Sequence, residues 1–114
     1  VTECIFCRIV AGAVPAKKVA ETDHVLAFRD IHPQAPTHVL LVPKAHVADS
    51  IADLGIEHGV LLAEIFMLAG KIARQERLEN GWRLVANVGL HAGQSVRHLH
   101  MHLLGGRPMK WPPG

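Results

Sequence analysis

The chain has 114 residues, 49% of them hydrophobic and 19% charged, a composition that fits one globular domain over 1–114 and excludes a disordered chain. Its formal net charge is +2 and its one basic run is Lys17-Lys18, which argues against a broad positive surface for nucleic acid. No stretch approaches the roughly 18 apolar residues of a membrane span. The N-terminus lacks the long apolar core of a signal peptide, and Cys4 and Cys7 do not make a disulfide framework. A cytoplasmic protein is therefore expected, with some apolar surface left for a subunit contact.

Cys4-Ile5-Phe6-Cys7-Arg8-Ile9-Val10 reads as a short helix closed by Gly12. Its Cys-x-x-Cys is half of many zinc sites. A redox pair asks for a preceding strand, which the three residues before Cys4 do not provide, and two small buried side chains are the plain alternative. Residues 18–21 and 25–28 read as short strands around Thr22-Asp23. Asp30 follows the second, placed either to accept hydrogen bonds from ribose hydroxyls or to form a turn. Pro33-Gln34-Ala35-Pro36 makes a rigid connection. Residues 37–43 are the most apolar strand, with His38 at its start and Pro43 at its end. His46 lies in the loop beyond. His24, His32 and His58 read as solvated or otherwise satisfied side chains.

Residues 50–54 suit one helical turn, and residues 57–78 an amphipathic helix. Leu61, Leu62, Ile65, Leu68, Ala69, Ile72 and Ala73 form its apolar stripe, and Asn80-Gly81 stops it. Residues 82–87 return to strand character. A loop from Gly89 to Gly93 carries His91, and Gln94-Ser95-Val96 leads into His98-Leu99-His100-Met101-His102-Leu103-Leu104. There histidine alternates with large aliphatics, the period of a half-buried strand. Leu99, Met101 and Leu103 should enter a core, leaving His98, His100 and His102 on the other face, neighbours about 6.5–7 Å apart. A phosphate spans two of them. Histidine, with an unperturbed pKa near 6.5, serves as nucleophile, acid, base or metal ligand at neutral pH. Residues 105–114, rich in proline, form an irregular tail whose Trp111 should pack on something. Five strands and one long helix with tight connections imply an α+β fold with an antiparallel sheet.

The run from His98 to Leu104 matches the His-φ-His-φ-His-φ-φ motif of the histidine triad (HIT) superfamily, φ being apolar. Phe28-Arg29-Asp30-Ile31, Pro33-Gln34-Ala35-Pro36-Thr37-His38, Val42-Pro43-Lys44-Ala45-His46, Gly93-Gln94-Ser95-Val96, Gly105-Gly106-Arg107 and the closing Trp111-Pro112-Pro113-Gly114 resemble its nucleotide-binding (HINT) branch. The resemblance spans essentially the whole chain. It implies a homodimer that joins two five-stranded antiparallel sheets, with the long helix and the 82–87 strand at the twofold axis and the tail reaching the partner's site. It also implies a purine nucleoside monophosphate site and hydrolysis of phosphoramidates such as AMP joined to an amine. Carried over by position, His100 corresponds to the nucleophile and His102 to the group holding the phosphate. Asn87, Gly93, Gln94 and Ser95 correspond to phosphate and leaving-group contacts, and Asp30 to the ribose ligand. Ile5, Phe6, Ile9, Phe28 and Ile31 lie near the base, and His38 is a supporting fourth histidine.

Three features depart from that pattern. Leu90-His91-Ala92 replaces a more acidic, polar loop, Arg29 stands where histidine is common, and many members of the branch lack Cys4 and Cys7. The thiols resemble those of zinc-binding members, where two histidines complete the set. His46 and His98 are the best placed here, giving a structural Zn²⁺ and no organic cofactor. Competing readings are a dinucleoside polyphosphate hydrolase using the same triad, and a nucleotide-binding regulatory module with vestigial catalysis.

Overall fold

The computed structural model describes residues 3–114; Val1 and Thr2 lie outside the described residues. The elements run α1 (Ile5–Val10), β1 (Lys18–Glu21), β2 (Val25–Arg29), β3 (Thr37–Pro43), α2 (Gly59–Gln75), β4 (Trp82–Val85) and β5 (Met101–Gly105). The five strands form one antiparallel sheet in the order β1-β2-β3-β5-β4. Among the described residues no helix is long and apolar enough to cross a membrane.

Strand alternation divides the apolar residues between two cores, one on each sheet face. Val25, Ala27, Val39, Leu41, Leu99, Met101 and Leu103 pack with Ile65, Leu68, Ala69 and Ile72 of α2. Leu26, Phe28, Leu40 and Val42 meet Phe6 of α1 on the other face. That covering on both sides explains why all of β3 is buried. The pairing Leu40↔His102 fixes the register, placing His38, His100 and His102 on the α1 face. Slipping β5 by one residue would turn His102 away from His38 and into the α2 core.

Several boundaries differ from the sequence reading. The expected strand over 98–104 enters the ladder only at Met101. Leu41↔Met101 closes the β3–β5 pairing, and upstream Leu99 donates its N–H to the Ala48 carbonyl instead. The strand expected over 82–87 ends at Val85, paired with His102. The long helix spans 59–75 rather than 57–78. Ile56–His58 forms a separate 3-10 turn, and Arg77 takes a left-handed conformation (φ 59°), after which Leu78 donates to Ala73. This is a Schellman closure, with buried Leu78 supplying its apolar contact. His24 is one of the satisfied histidines, since Glu64 of α2 accepts from the His24 and Thr22 side chains. Arg29 makes a bidentate pair with Glu76 (2.6 and 3.0 Å), tying the end of β2 to the end of α2.

Gly106 carries φ +92°, and a Cβ there would lie 2.9 Å from the Pro36 ring. Gly106→Ala should destabilise the protein by about 1–3 kcal/mol through strain and overlap. The urea midpoint of purified wild type and variant checks this; equal midpoints would contradict the account.

Candidate active site

Three of the four histidines on the α1 face are buried, with His102 half-buried. The histidine face expected opposite the Leu99–Met101–Leu103 core is itself packed, against α1. Phe6 meets the His98 and His100 rings edge-on, at centroid separations of 5.8 and 5.0 Å. Such burial requires a partner for each ring nitrogen that holds a proton.

Those partners fix which nitrogen is protonated. The His100 Nδ1–H donates to the His98 carbonyl at 2.7 Å, so its Nε2 carries the lone pair. The Gln34 amide donates to His38 Nδ1 at 3.0 Å, which leaves the proton on His38 Nε2. That proton goes to His102 Nδ1, 2.9 Å away, and the His102 proton is in turn left on Nε2. Two rings 5.1 Å apart thus present a lone pair on His100 and an N–H donor on His102. Asp30 stands behind this chain, one carboxylate oxygen 3.5 Å from His38 Nε2 and the other accepting from the His32 amide.

Both rings open on a cavity of about 340 Å³. Of the residues expected near a nucleotide, Ile5, Phe6, Ile9, Phe28 and Ile31 form its apolar wall, and Asp30, Ser95, His100 and His102 supply the polar groups. Asn87, Gly93 and Gln94 do not line it. Gln94 is engaged elsewhere, since its Oε1 accepts from the Gly89 amide and its Nε2 donates to the Asp49 and Val96 carbonyls. Its side chain braces the 89–94 loop, where Gly89 (φ +83°) and Gly93 (φ +79°) turn the chain. Arg29 and His32 also line the cavity, and Val14, Pro15, Ala16, Leu40 and Val96 complete its apolar wall. Their types carry no signal beyond hydrophobicity, so nothing in the sequence singles them out. His91, exposed on the 3-10 turn of that loop, does not line the cavity.

A second cluster adjoins the first. Cys4 Sγ lies 3.3 Å from His98 Nδ1, and Cys7 Sγ lies 3.6 Å from both His98 Nδ1 and His46 Nδ1. All four donor atoms fall within 4.8 Å of one another. Tetrahedral zinc with N and S ligands separates its donors by roughly 3.4–3.8 Å, so the set fits such an ion. The outer nitrogens are also committed: His98 Nε2–H donates to the Pro43 carbonyl (2.8 Å) and His46 Nε2–H faces Asp49 (3.4 Å). Each ring therefore turns an Nδ1 lone pair inward, as metal-ligating histidines do.

The HIT domain family model matches residues 11–109. The chain belongs to the HIT family. Among HIT relatives, the purine nucleoside phosphoramidase of Escherichia coli is 46% identical over 108 residues, covering 94% of this chain and 90% of that protein. The 14 kDa zinc-binding protein of Zea mays is 48% identical over 113 residues, covering 96% and 87%. The crystal structure of a HIT family hydrolase from Legionella pneumophila superposes with a TM-score of 0.95 at 53% identity, covering 98% of this chain and 100% of that one.

Burial, followed by the nearby His100 and His38, lowers the His102 pKa to about 4, and burial lowers that of His38 as well. Unfolding returns both to near 6.5. Between these values the unfolded chain binds more protons, so stability present above pH 6.5 is lost as the pH falls toward 4. The urea midpoint should therefore decline steadily from pH 6.5 to 4.5, and less steeply in His102→Gln. A flat profile across that window contradicts the buried neutral rings.

Proposed function

We propose that this HIT protein is a hydrolase that cleaves the P–N bond of purine nucleoside 5′-phosphoramidates through a nucleotidyl-histidine intermediate. The observation that carries this reading is the committed Nδ1–H of His100, which leaves an unprotonated Nε2 at the cavity. An imidazole lone pair is the nucleophile such chemistry needs. The base sits against Ile5, Phe6, Ile9, Phe28 and Ile31, and Asp30 accepts from the ribose hydroxyls. His100 Nε2 attacks phosphorus, and the P–N bond breaks as the amine leaves with a proton relayed by Ser95, since an unprotonated amine leaves poorly. His102 Nε2–H donates to a non-bridging oxygen whose charge grows in the transition state. Water then attacks phosphorus, the His100–phosphorus bond breaks with its electron pair returning to Nε2, the proton lost by the water replaces the one passed to the amine through Ser95, and the nucleotide is released. His38 acts behind His102 as a positioning residue. Backbone amides of the 93–95 segment reach the phosphate once substrate is bound, and Asn87 approaches the leaving group.

Cys4, Cys7, His46 and His98 are proposed to hold a structural Zn²⁺, which would tie α1 to the β3 loop and the start of the histidine run. No organic cofactor has a role in the scheme. A reducing compartment such as the cytoplasm suits a site built on two thiolates. We read residues 1–114 as a single HIT domain that works as a homodimer. β4 is an edge strand with Trp82 exposed, Phe66 of α2 is exposed, and Trp111 is 82% exposed. A twofold partner would cover these surfaces, continue the sheet and receive the 105–114 tail near its own site. Sedimentation at micromolar concentration should give a dimer; a clean monomer contradicts this.

His100→Ala should lower kcat on an adenosine 5′-phosphoramidate by at least about 10³-fold, the scale of losing a covalent-catalysis residue. AMP binding should persist, because the base wall and Asp30 are untouched. Mass spectrometry of rapidly quenched wild-type enzyme should find the nucleotidyl adduct on His100. An adduct on another residue, or faster turnover of a diadenosine polyphosphate, overturns the reading.

A further inference from the structure

The two clusters share parts. His98 offers Nδ1 to the thiols, while its carbonyl holds the Nδ1–H of His100. Cys4 and Cys7 belong to α1 and its cap, and Ile5, Phe6 and Ile9 of that helix form the apolar wall of the cavity. Yet α1 buries a single residue, Phe6. Beside Phe6, the helix contributes only the partly buried Ile9 and Val10 to the core, a small anchorage for six residues, and the Cys/His cluster adds a further tie that helps place that wall.

The thiols themselves are arranged for more than ligation. Cys4 is the N-cap of α1 in extended conformation, and its Sγ accepts from the Cys7 amide at 3.4 Å. The two sulfurs lie within 4.8 Å of each other, and both residues are partly open to solvent. Cys4 and Cys7 stand three positions apart at the start of α1, so their side chains share one side of it, and closing a disulfide asks them to turn toward each other. A cation held among these donors keeps both sulfurs as thiolates, and the thiolate is the form that reacts with peroxides.

We propose that Cys4 and Cys7 are a peroxide-oxidisable pair, and that closing their disulfide expels the metal and slackens the nucleotide-binding wall formed by α1. One thiolate attacks hydrogen peroxide, giving a sulfenic acid and releasing hydroxide. The second thiolate attacks that sulfur, forming the disulfide and releasing another hydroxide. Two solvent protons complete two waters, so the peroxide takes up the two electrons that the sulfurs lose. The ion, deprived of two of its four ligands, is released. α1 keeps a sulfur acceptor at its cap but is no longer tied to His46 and His98. Nucleotide affinity falls through the base wall, with Asp30 and His102 unchanged. This rests on the zinc reading above.

The test uses the full chain purified with zinc and without chelator. Zinc content is measured first, since a metal-free protein defeats the zinc reading itself and this proposal with it. Hydrogen peroxide should then release zinc to a chromogenic chelator and yield one N-terminal peptide 2 Da lighter (about two hydrogens, the loss on thiol-to-disulfide conversion). By calorimetry the dissociation constant of AMP should rise about fivefold or more, the scale of coupling between adjoining sites. Thiol reductant plus zinc should restore it. Cys4→Ser keeps a good N-cap oxygen but loses the thiolate. It should fold normally by circular dichroism, hold little zinc, bind AMP weakly from the outset and ignore peroxide. Zinc release with unchanged AMP affinity overturns the proposal while leaving the zinc reading intact. So does oxidation to separate sulfinic acids, or Cys4→Ser binding AMP as tightly as wild type.

Discussion

Every histidine of the site commits one ring nitrogen to a fixed protein partner, and the chemistry available to the other nitrogen follows from that commitment. Three of these partners are backbone groups: the Pro43 carbonyl for His98, the His98 carbonyl for His100 and the Gln34 amide for His38. Backbone atoms have less freedom than side chains: Pro43 ends β3, the His98 carbonyl lies just upstream of β5, and Gln34 sits in the proline-bounded 33–36 connection, so the protonation pattern is built into the chain's path. His46 aside, which faces the Asp49 side chain, His102 is the exception, since its partner is another side chain, His38. Its donor face is therefore inherited at second hand from an amide in the 33–36 connection. That explains why a proline-bounded loop remote from the reacting atoms belongs to the site.

The same register joins two kinds of chemistry along one short segment. His98 faces the thiols and His100 faces the cavity, and Phe6 of α1 packs edge-on against both rings. The proposed thiol oxidation would act on the cavity through these contacts, by way of α1 and the His98 carbonyl. Burial gives the arrangement its sharpness: in a low-dielectric pocket an unpartnered N–H is costly, so each ring has one favourable tautomer.

Much of this is legible in the sequence, for a physical reason. Alternation along 98–104, the apolar run of 37–43 and the stripe of 61–73 report which face of an element is buried, a property each residue carries in its own side chain. The five strands, the helix and the grouping of Cys4 and Cys7 with His46 and His98 as candidate ligands follow from such patterns and the family resemblance. Identity of a hydrogen-bond partner is different information, because it depends on atoms distant in the chain. Gln94 reads as a phosphate contact by position, yet its amide group is taken by Gly89, Asp49 and Val96. The helix end is hidden because Arg77, with no glycine signal, adopts the left-handed closure that buries Leu78. Arg29 gives no hint of Glu76, 47 positions away.

The central claim is that the folded protein itself holds the His100 ring with its proton on Nδ1, leaving Nε2 ready to attack phosphorus. Long-range ¹H–¹⁵N correlation spectra of the imidazole rings at neutral pH read the protonated nitrogen of each histidine directly. The expected result is a proton on Nδ1 of His100 and on Nε2 of His102 and His38, already in place when AMP is absent. A proton on Nε2 of His100 in the resting protein would contradict the claim.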